Sequence, residues 1–183
     1  MATAAQIVHV KPSISLEAAG RTVDSALAEA RRHNMNPLTV VVLDAGGGVV
    51  CAKREDGSAI MRFFDVAFAK AWGALGMGMP SGALGAKMAP KSAFVGALVA
   101  VPGGVLIVDE WGFAIGAVGI SGDTSEKDEH CCVAGAREAG LKSVPDTSPA
   151  GELALCRARN RSKPELHLPV GRVRGALPAV PRV

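Results

Sequence analysis

At 183 residues the chain is long enough for one domain with a hydrophobic core, and two domains are not expected. It is 49% hydrophobic, which excludes disorder for most of its length. The net charge of +3 arises at one end, because residues 151–183 carry +5 and residues 1–150 carry −2. Without a domain-wide basic surface, and with only 4% aromatic residues, we expect no nucleic-acid partner.

The termini and the apolar runs bear on localisation. The N-terminus lacks the basic and apolar regions of a secretory signal. The longest apolar stretch, Ala93–Val108, is interrupted by Pro102–Gly104 and is shorter than the about 20 residues that span a bilayer. The four cysteines show no metal-binding spacing, so we expect a cytoplasmic protein without a membrane partner. Abundant small apolar residues further suggest a homo-oligomer.

The first predicted elements are a helix and a β-hairpin. Apolar residues recur at helical spacing from Ser15 to His33, with Ser15 placed to cap the helix. The run Leu38–Asp44 is nearly all apolar and β-branched, which predicts a strand covered on both faces. Residues 45–48 form the predicted turn, and a return strand follows from residue 49 to residue 56.

The pattern of helix and hairpin then repeats. A helix is predicted at Asp65–Leu75 with Phe64, Phe68 and Trp72 on one face, followed by a loop at Gly76–Gly85. The remaining predicted elements are strands near 97–101, at 105–109 and at 113–120, and a last helix at 125–140. This order predicts one domain of the α/β class, of the α+β type, with helices against an antiparallel sheet.

Composition sets the predicted boundaries of this domain. Residues 1–12 precede the first periodic element and form an N-terminal extension, and the domain occupies residues 13–144. Beyond residue 144 the chain is rich in Pro, Arg and Ser without periodicity, apart from a short helical pattern at 151–159. Residues 145–183 are therefore predicted to be a basic, Pro-rich C-terminal tail.

The acidic segment Ile120–Cys132 is the first candidate site. Ser125 followed by Asp128 matches a helix-capping pattern, and acidic groups in a first turn suit the helix dipole. Alternatively, Glu126 and His130 lie four residues apart on one helical face and could hold a divalent metal, and His130 could ligate haem iron. Both interpretations remain open on the residues alone.

Two further segments carry a structural and a functional interpretation. Gly103 and Gly104 at a strand entrance indicate either a bend with close backbone approach or the wall of a pocket for a flat ligand. Lys70, among apolar residues of the second helix, either extends to the surface or faces a pocket, where it would pair with an anion or act as a base. Arg54 ends a strand, where charges are usually solvated.

Taken together, four segments resemble the GlcG/HbpS family of small haem-binding proteins, which includes the C-terminal domain of PduO-type proteins. They are "SLEAAGRTVDSALAEAR", "LTVVVLDAGGGVVCAKREDG", "DVAFAKAWGALGMGMPS" and "PGGVLIVDEWGFAIGAVGISGDTSEKDEHCCVAG", in the order of the family. The resemblance spans roughly Ser13 to Leu141. It implies an antiparallel sheet of about five strands, symmetric multimers and, in some members, binding or slow degradation of haem.

The resemblance favours an oligomeric cytoplasmic binding protein for haem or a related tetrapyrrole, with weak haem degradation as an added activity. The alternatives are an enzyme acting on a small carbonyl or carboxylate metabolite and a structural module without turnover. In the haem hypothesis Lys70 or Arg54 pairs with a propionate and His130 ligates iron. The predicted ligand-binding residues are Arg54, Lys70, Gly103, Gly104, Asp128 and Glu129, and the predicted metal ligands are His130 and Glu126.

Overall fold

The computed structural model describes residues 11–58, 64–88 and 98–146. The order of elements is α1 (Leu16–Arg32), β1 (Thr39–Asp44), β2 (Val49–Arg54), α2 (Phe64–Met77), α3 (Ser81–Met88), β3 (Gly104–Val108), β4 (Ala114–Ser121), α4 (Ser125–Glu138) and β5 (Lys142–Val144). No helix in this part of the chain is long and apolar enough to cross a membrane.

The five strands form one antiparallel sheet in the order β2-β1-β4-β3-β5. Each predicted hairpin is present, and β1 pairs with β4 so that the two hairpins share one sheet. The α+β fold and the antiparallel sheet expected from the sequence are confirmed.

The sheet separates two helical layers. Val40 and Val42 of β1 pack with α1 and α4, whereas Val41 and Leu43 pack with α2. This alternation follows from the two-residue period of a strand, and it explains why β1 is apolar throughout. The face of the sheet on which a helical site residue lies is therefore set by the helix that carries it.

Helix α1 shows the clearest agreement between pattern and structure. The Ser15 side chain accepts a hydrogen bond from the backbone N–H of Ala18, as a helix cap does. Arg31 and Arg32 lie in the last turn, where positive charge favours the negative end of the helix dipole. Helix α1 packs mainly on α4, where Gly135 lies so close to Thr22 and Ala26 that an added Cβ would be 2.6 Å from the Thr22 carbonyl oxygen.

Three predictions about local structure were wrong. Residues 81–88 are helix α3, although their glycines suggested a loop. Residues 98–101 are outside any strand, and the fifth strand is instead β5 at the far edge. The cap of α4 is Thr124 rather than Ser125, and Thr124 makes no side-chain capping bond. Short elements such as β5 are set by pairing with a neighbour, which a local pattern does not report.

Most of the predicted tail falls outside the described residues, as does the helical pattern at 151–159 and the predicted extension up to residue 10. The boundaries at residues 12 and 144 stay predictions.

Candidate functional site

A buried ion pair joins α2 to α4. The Lys70 ammonium donates to Asp128 Oδ2 at 2.8 Å and to the carbonyl oxygen of Ile120 at 3.0 Å. The two side chains are 3% and 2% exposed, so water does not screen the pair. Burial raises the pKa of Asp128, while the charge of Lys70 acts to lower it.

The glycines that follow Pro102 make this pairing possible. Gly103 has a φ of +112°, and a Cβ there would lie 2.7 Å from the Lys70 ammonium nitrogen. A Cβ on Gly104 would overlap the carbonyl oxygen of Lys70. The Ser81 hydroxyl completes the packing, because it accepts from the Gly104 N–H at 2.7 Å and donates to the Val101 carbonyl at 2.6 Å.

The structure thus brings Lys70, Gly103, Gly104 and Asp128 together, as one packed cluster between the two helical layers. The contacts of Gly103 and Gly104 with Lys70 agree with the first interpretation of these glycines, a close approach of the backbone. For Lys70 the structure shows a buried ion pair rather than extension to the surface.

Of the other predicted site residues, Glu129 lies near this cluster and Arg54 lies away from it. Glu129 is half-buried, and its carboxylate oxygen is 3.4 Å from the place where a Cβ of Gly82 would stand. Arg54 is exposed at the same end of the sheet, three strands from β3, which corresponds to about 14 Å at the usual strand spacing. Glu126 is exposed on the first turn of α4.

His130 takes part in a second cluster, on the α1–α4 layer. Its Nε2 lies 2.8 Å from Glu29 Oε1, and the Nε2 of His33 lies 3.0 Å from the same oxygen. The two imidazole rings meet edge to face, with centroids 5.6 Å apart. In the described part of the chain, Glu29, His33 and His130 form the group of His, Cys, Asp or Glu ligands that could hold a metal ion, and Glu126 is not in it.

The environment of Glu29 favours the ionised carboxylate. The hydrogen bond with His130 is the largest influence and, together with Arg32 and His33, it outweighs burial and lowers the pKa of Glu29 to about 2. Arg32 donates from Nε to the other oxygen, Oε2, at 2.8 Å. Glu29 is therefore a fixed negative charge between two half-exposed rings.

His130 was named from the sequence, whereas its neighbours Glu29 and His33 were not. The signal that was available is the four-residue spacing of Glu29 and His33, which places them one turn apart on the same helical face. Their link to His130 spans 101 positions of sequence and depends on the packing of α1 against α4.

The adjacent cysteines are not exposed ligands. Cys131 and Cys132 are buried as free thiols, and burial raises the pKa of Cys131 to about 12 and that of Cys132 well above its ordinary value. Burial and a raised pKa are typical of unreactive, packed thiols.

A stripe of aromatic rings lies on α2, on the other side of the sheet from His130. Phe64 stacks on Phe68, and Phe68 stacks on Trp72, with interplanar angles of 19° and 15°. Phe64 and Trp72 are exposed large hydrophobic side chains. We call these three residues the aromatic stripe.

Comparisons with solved structures identify the same fold elsewhere. A double mutant of HbpS from Streptomyces reticuli matches with a TM-score of 0.68 and 24% identity, covering 75% of this chain and 94% of that one. The complex of PduOC with haem matches with a TM-score of 0.65 and 23% identity over 71% and 97% of the two chains. The Klebsiella pneumoniae protein ORFY matches with a TM-score of 0.66 and 23% identity over 73% and 94%.

A search of curated proteins found no significant match. The family model described as "haem degrading protein HbpS-like" matches residues 14–137, which cover all the elements from α1 to α4 except the last residue of α4. The resemblance read from the four sequence segments is confirmed by this match. The chain belongs to the HbpS-like family.

Proposed function

We propose that this chain binds haem or a related tetrapyrrole, and that it does so as a homo-oligomer. The observation that carries the proposal is the family match over residues 14–137, whose description names haem. The similar fold of PduOC, solved as a haem complex, supports it.

The side chains of this protein include groups that suit haem. The imidazole of His130 is 46% exposed, and an imidazole nitrogen is a common axial ligand of haem iron. In this proposal Arg54, which is exposed at the end of β2, forms an ion pair with a haem propionate. Lys70 is not assigned to a propionate in this proposal, because its ammonium group is bonded to Asp128 and shielded from solvent.

The placement of these groups is the reason for proposing an oligomer. The aromatic stripe offers near-parallel rings on which a flat macrocycle can pack, but α2 and α4 lie on opposite faces of the sheet. The stripe and His130 of one chain therefore face different directions. A ring that contacts both has to lie between two copies, and the exposed apolar stripe is then covered in the assembly.

A haemin titration followed at the Soret band tests the proposal. The expected result is a saturable red shift, which is altered in His130→Ala and weakened in Phe64→Ala. Analytical ultracentrifugation should show a smaller assembly for Phe64→Ala. Phe113→Ala is the matched control, because Phe113 is an exposed aromatic residue outside the stripe, and it should behave as the wild type.

The absence of a saturable shift in the wild-type protein would overturn haem binding. Full binding by a monomer, with no effect of Phe64→Ala, would overturn the shared site while leaving haem binding in place. Weak degradation is a separate step of the proposal, measured as loss of the Soret band of the bound haem when a reductant is added in the presence of dioxygen, which is the oxidant of the ring, with the same sample kept free of dioxygen as the control.

No contact among the described residues favours the alternative of an enzyme on a small carbonyl or carboxylate metabolite. That alternative assigns Lys70 as a base and Asp128 or Glu129 as a proton carrier. Lys70 and Asp128 are bonded to each other and shielded from solvent, so a substrate in solution would first have to separate them.

A further inference from the structure

We propose that Glu29, His33 and His130 form a binding site for one divalent first-row transition-metal ion, of the class of Zn²⁺ and Fe²⁺. The site shares His130 with the proposed haem site and differs from it in requiring Glu29 and His33 of α1, so one His130 side chain serves either the ion or haem iron at a time. Two imidazoles and one carboxylate are a ligand set that such ions take in proteins, with the remaining positions open to water.

The spacing of the three groups already approaches that of a coordination shell. A metal with bonds of about 2.0 to 2.1 Å separates its ligand atoms by about 2.9 Å at right angles and by about 3.3 Å in a tetrahedral shell. The distances from Glu29 Oε1 to the two Nε2 atoms are 2.8 and 3.0 Å, and all three ligand atoms lie within 4.8 Å of one another. The rings are 55% and 46% exposed, so a small rotation can bring their nitrogens onto one ion.

The charge and the hydrogen bonds of the cluster suit a cation. Both Nε2 atoms face a single carboxylate oxygen, and one metal ion can replace the two N–H protons that would otherwise point at it. Arg32 holds Oε2, which leaves Oε1 as the ligand atom and fixes its direction.

The fold holds the ligands in place from two helices. Glu29 is 8% exposed, and it lies one turn before His33 on α1, whereas His130 comes from α4. The close approach of Gly135 to α1 fixes the two helices relative to each other. The carboxylate is thus buried and oriented, while the outer side of the rings is open to further ligands.

The experiment is a titration of the full chain, without a histidine tag, with Zn²⁺ by calorimetry and with Co²⁺ by visible absorption. One ion per chain is expected, with a rise in Tm on adding Zn²⁺. Glu29→Gln, His33→Gln and His130→Gln should each weaken Zn²⁺ binding by about 10-fold or more. Mg²⁺ and Ca²⁺, which prefer oxygen ligands, should not displace Zn²⁺.

Two controls are matched to these variants. Glu17→Gln makes the same exchange on the same helix at an exposed position and should bind Zn²⁺ as the wild type does. His9 and His167 are the other two histidines of the chain, and a variant with both replaced by Ala should keep the site. Circular dichroism shows whether each variant is folded, and His33→Gln changes an exposed ring at the helix end.

Unchanged Zn²⁺ affinity in the folded His33→Gln and Glu29→Gln proteins would overturn the proposal. So would loss of binding in Glu126→Gln with Glu29→Gln unaffected, which would favour the pair expected from the sequence. The metal proposal and the haem proposal are tested independently by these variants. Glu29→Gln and His33→Gln should weaken Zn²⁺ binding and keep the Soret shift, because His130 is the only one of the three residues that is assigned to haem iron.

Discussion

Lys70 and Asp128 connect the two helical layers of the protein by an ion pair of 2.8 Å that passes beside Gly103. Lys70 belongs to α2, on one side of the sheet, and Asp128 belongs to the first turn of α4, on the other side. The pair therefore links the helix with the aromatic stripe to the helix with His130. A substitution at this contact should therefore alter the packing of helices on both sides of the sheet.

Replacing one partner of this pair should be costly. Lys70→Met leaves the Asp128 carboxylate buried without its cation, and we expect a loss of about 3 to 5 kcal/mol in the free energy of unfolding. The double variant Lys70→Met/Asp128→Leu should recover much of the loss, because no buried charge remains. Urea denaturation measures both. Lys127→Met, at an exposed lysine, should cost within about 1 kcal/mol, and an equal loss there would contradict the prediction.

Gly104→Ala tests the close approach of the β3 entrance to α2. The added Cβ meets the backbone carbonyl oxygen of Lys70, which cannot rotate away, so we expect a loss of about 1 to 3 kcal/mol or more. Gly76→Ala is the control, because Gly76 lies in α2 and, apart from its chain neighbours and the backbone of its own helix, no atom lies within 4 Å of its added Cβ. That substitution should be neutral or stabilise by up to about 1 kcal/mol. A tolerated Gly104→Ala would mean that the space beside Lys70 is open.

Asp123 should make stability depend on acid. Its pKa is lowered, chiefly by the N–H of Asn36 at 2.8 Å, with Thr124 and Lys127 adding further bonds. The stabilisation is present above the unfolded pKa of 3.8 and is lost as the pH falls through the lower folded pKa. Asp123→Asn should cost about 1 to 2 kcal/mol at pH 7. The difference from the wild type, measured by urea denaturation, should shrink below about pH 4, and a constant difference would refute this role.

The buried thiols should resist modification in the folded protein. In a Cys156→Ser background, a thiol reagent at pH 8 should label Cys51, which is half-buried, well before Cys131 and Cys132. Cys131 is buried, and its pKa is raised to about 12, so it stays in the protonated thiol form, which is unreactive. All three should react after unfolding in urea. Labelling of Cys131 or Cys132 at the rate of Cys51 under native conditions would show that α4 opens readily.

Elements with a strong local pattern were predicted well. The apolar spacing and the Ser15 cap were enough for α1, and the β-branched run was enough for β1. Helix α3 was missed because its glycines weaken helix propensity, and it packs on α2 and β3 instead. The three residues of β5 owe their strand to pairing with β3.

The sequence did not reveal which of the named residues contact one another, because the partners are far apart along the chain. Lys70 and Asp128 were both named, yet their pairing spans 58 positions and follows only from the packing of α2 and α4 around the sheet. His130 was named with Glu126, its neighbour on the same helix. Its bonded partner is Glu29, which belongs to another helix.

The order of apolar and glycine-rich segments by itself determined the class of fold and the family, because strand period, helix period and caps act between near neighbours. Tertiary structure decided which charges meet. A carboxylate 101 positions from an imidazole becomes its partner only when two helices pack in one register, and a lysine among apolar residues becomes half of an ion pair only when a glycine leaves room for it. Such contacts depend on the three-dimensional arrangement of the helices and the sheet, which no local pattern encodes.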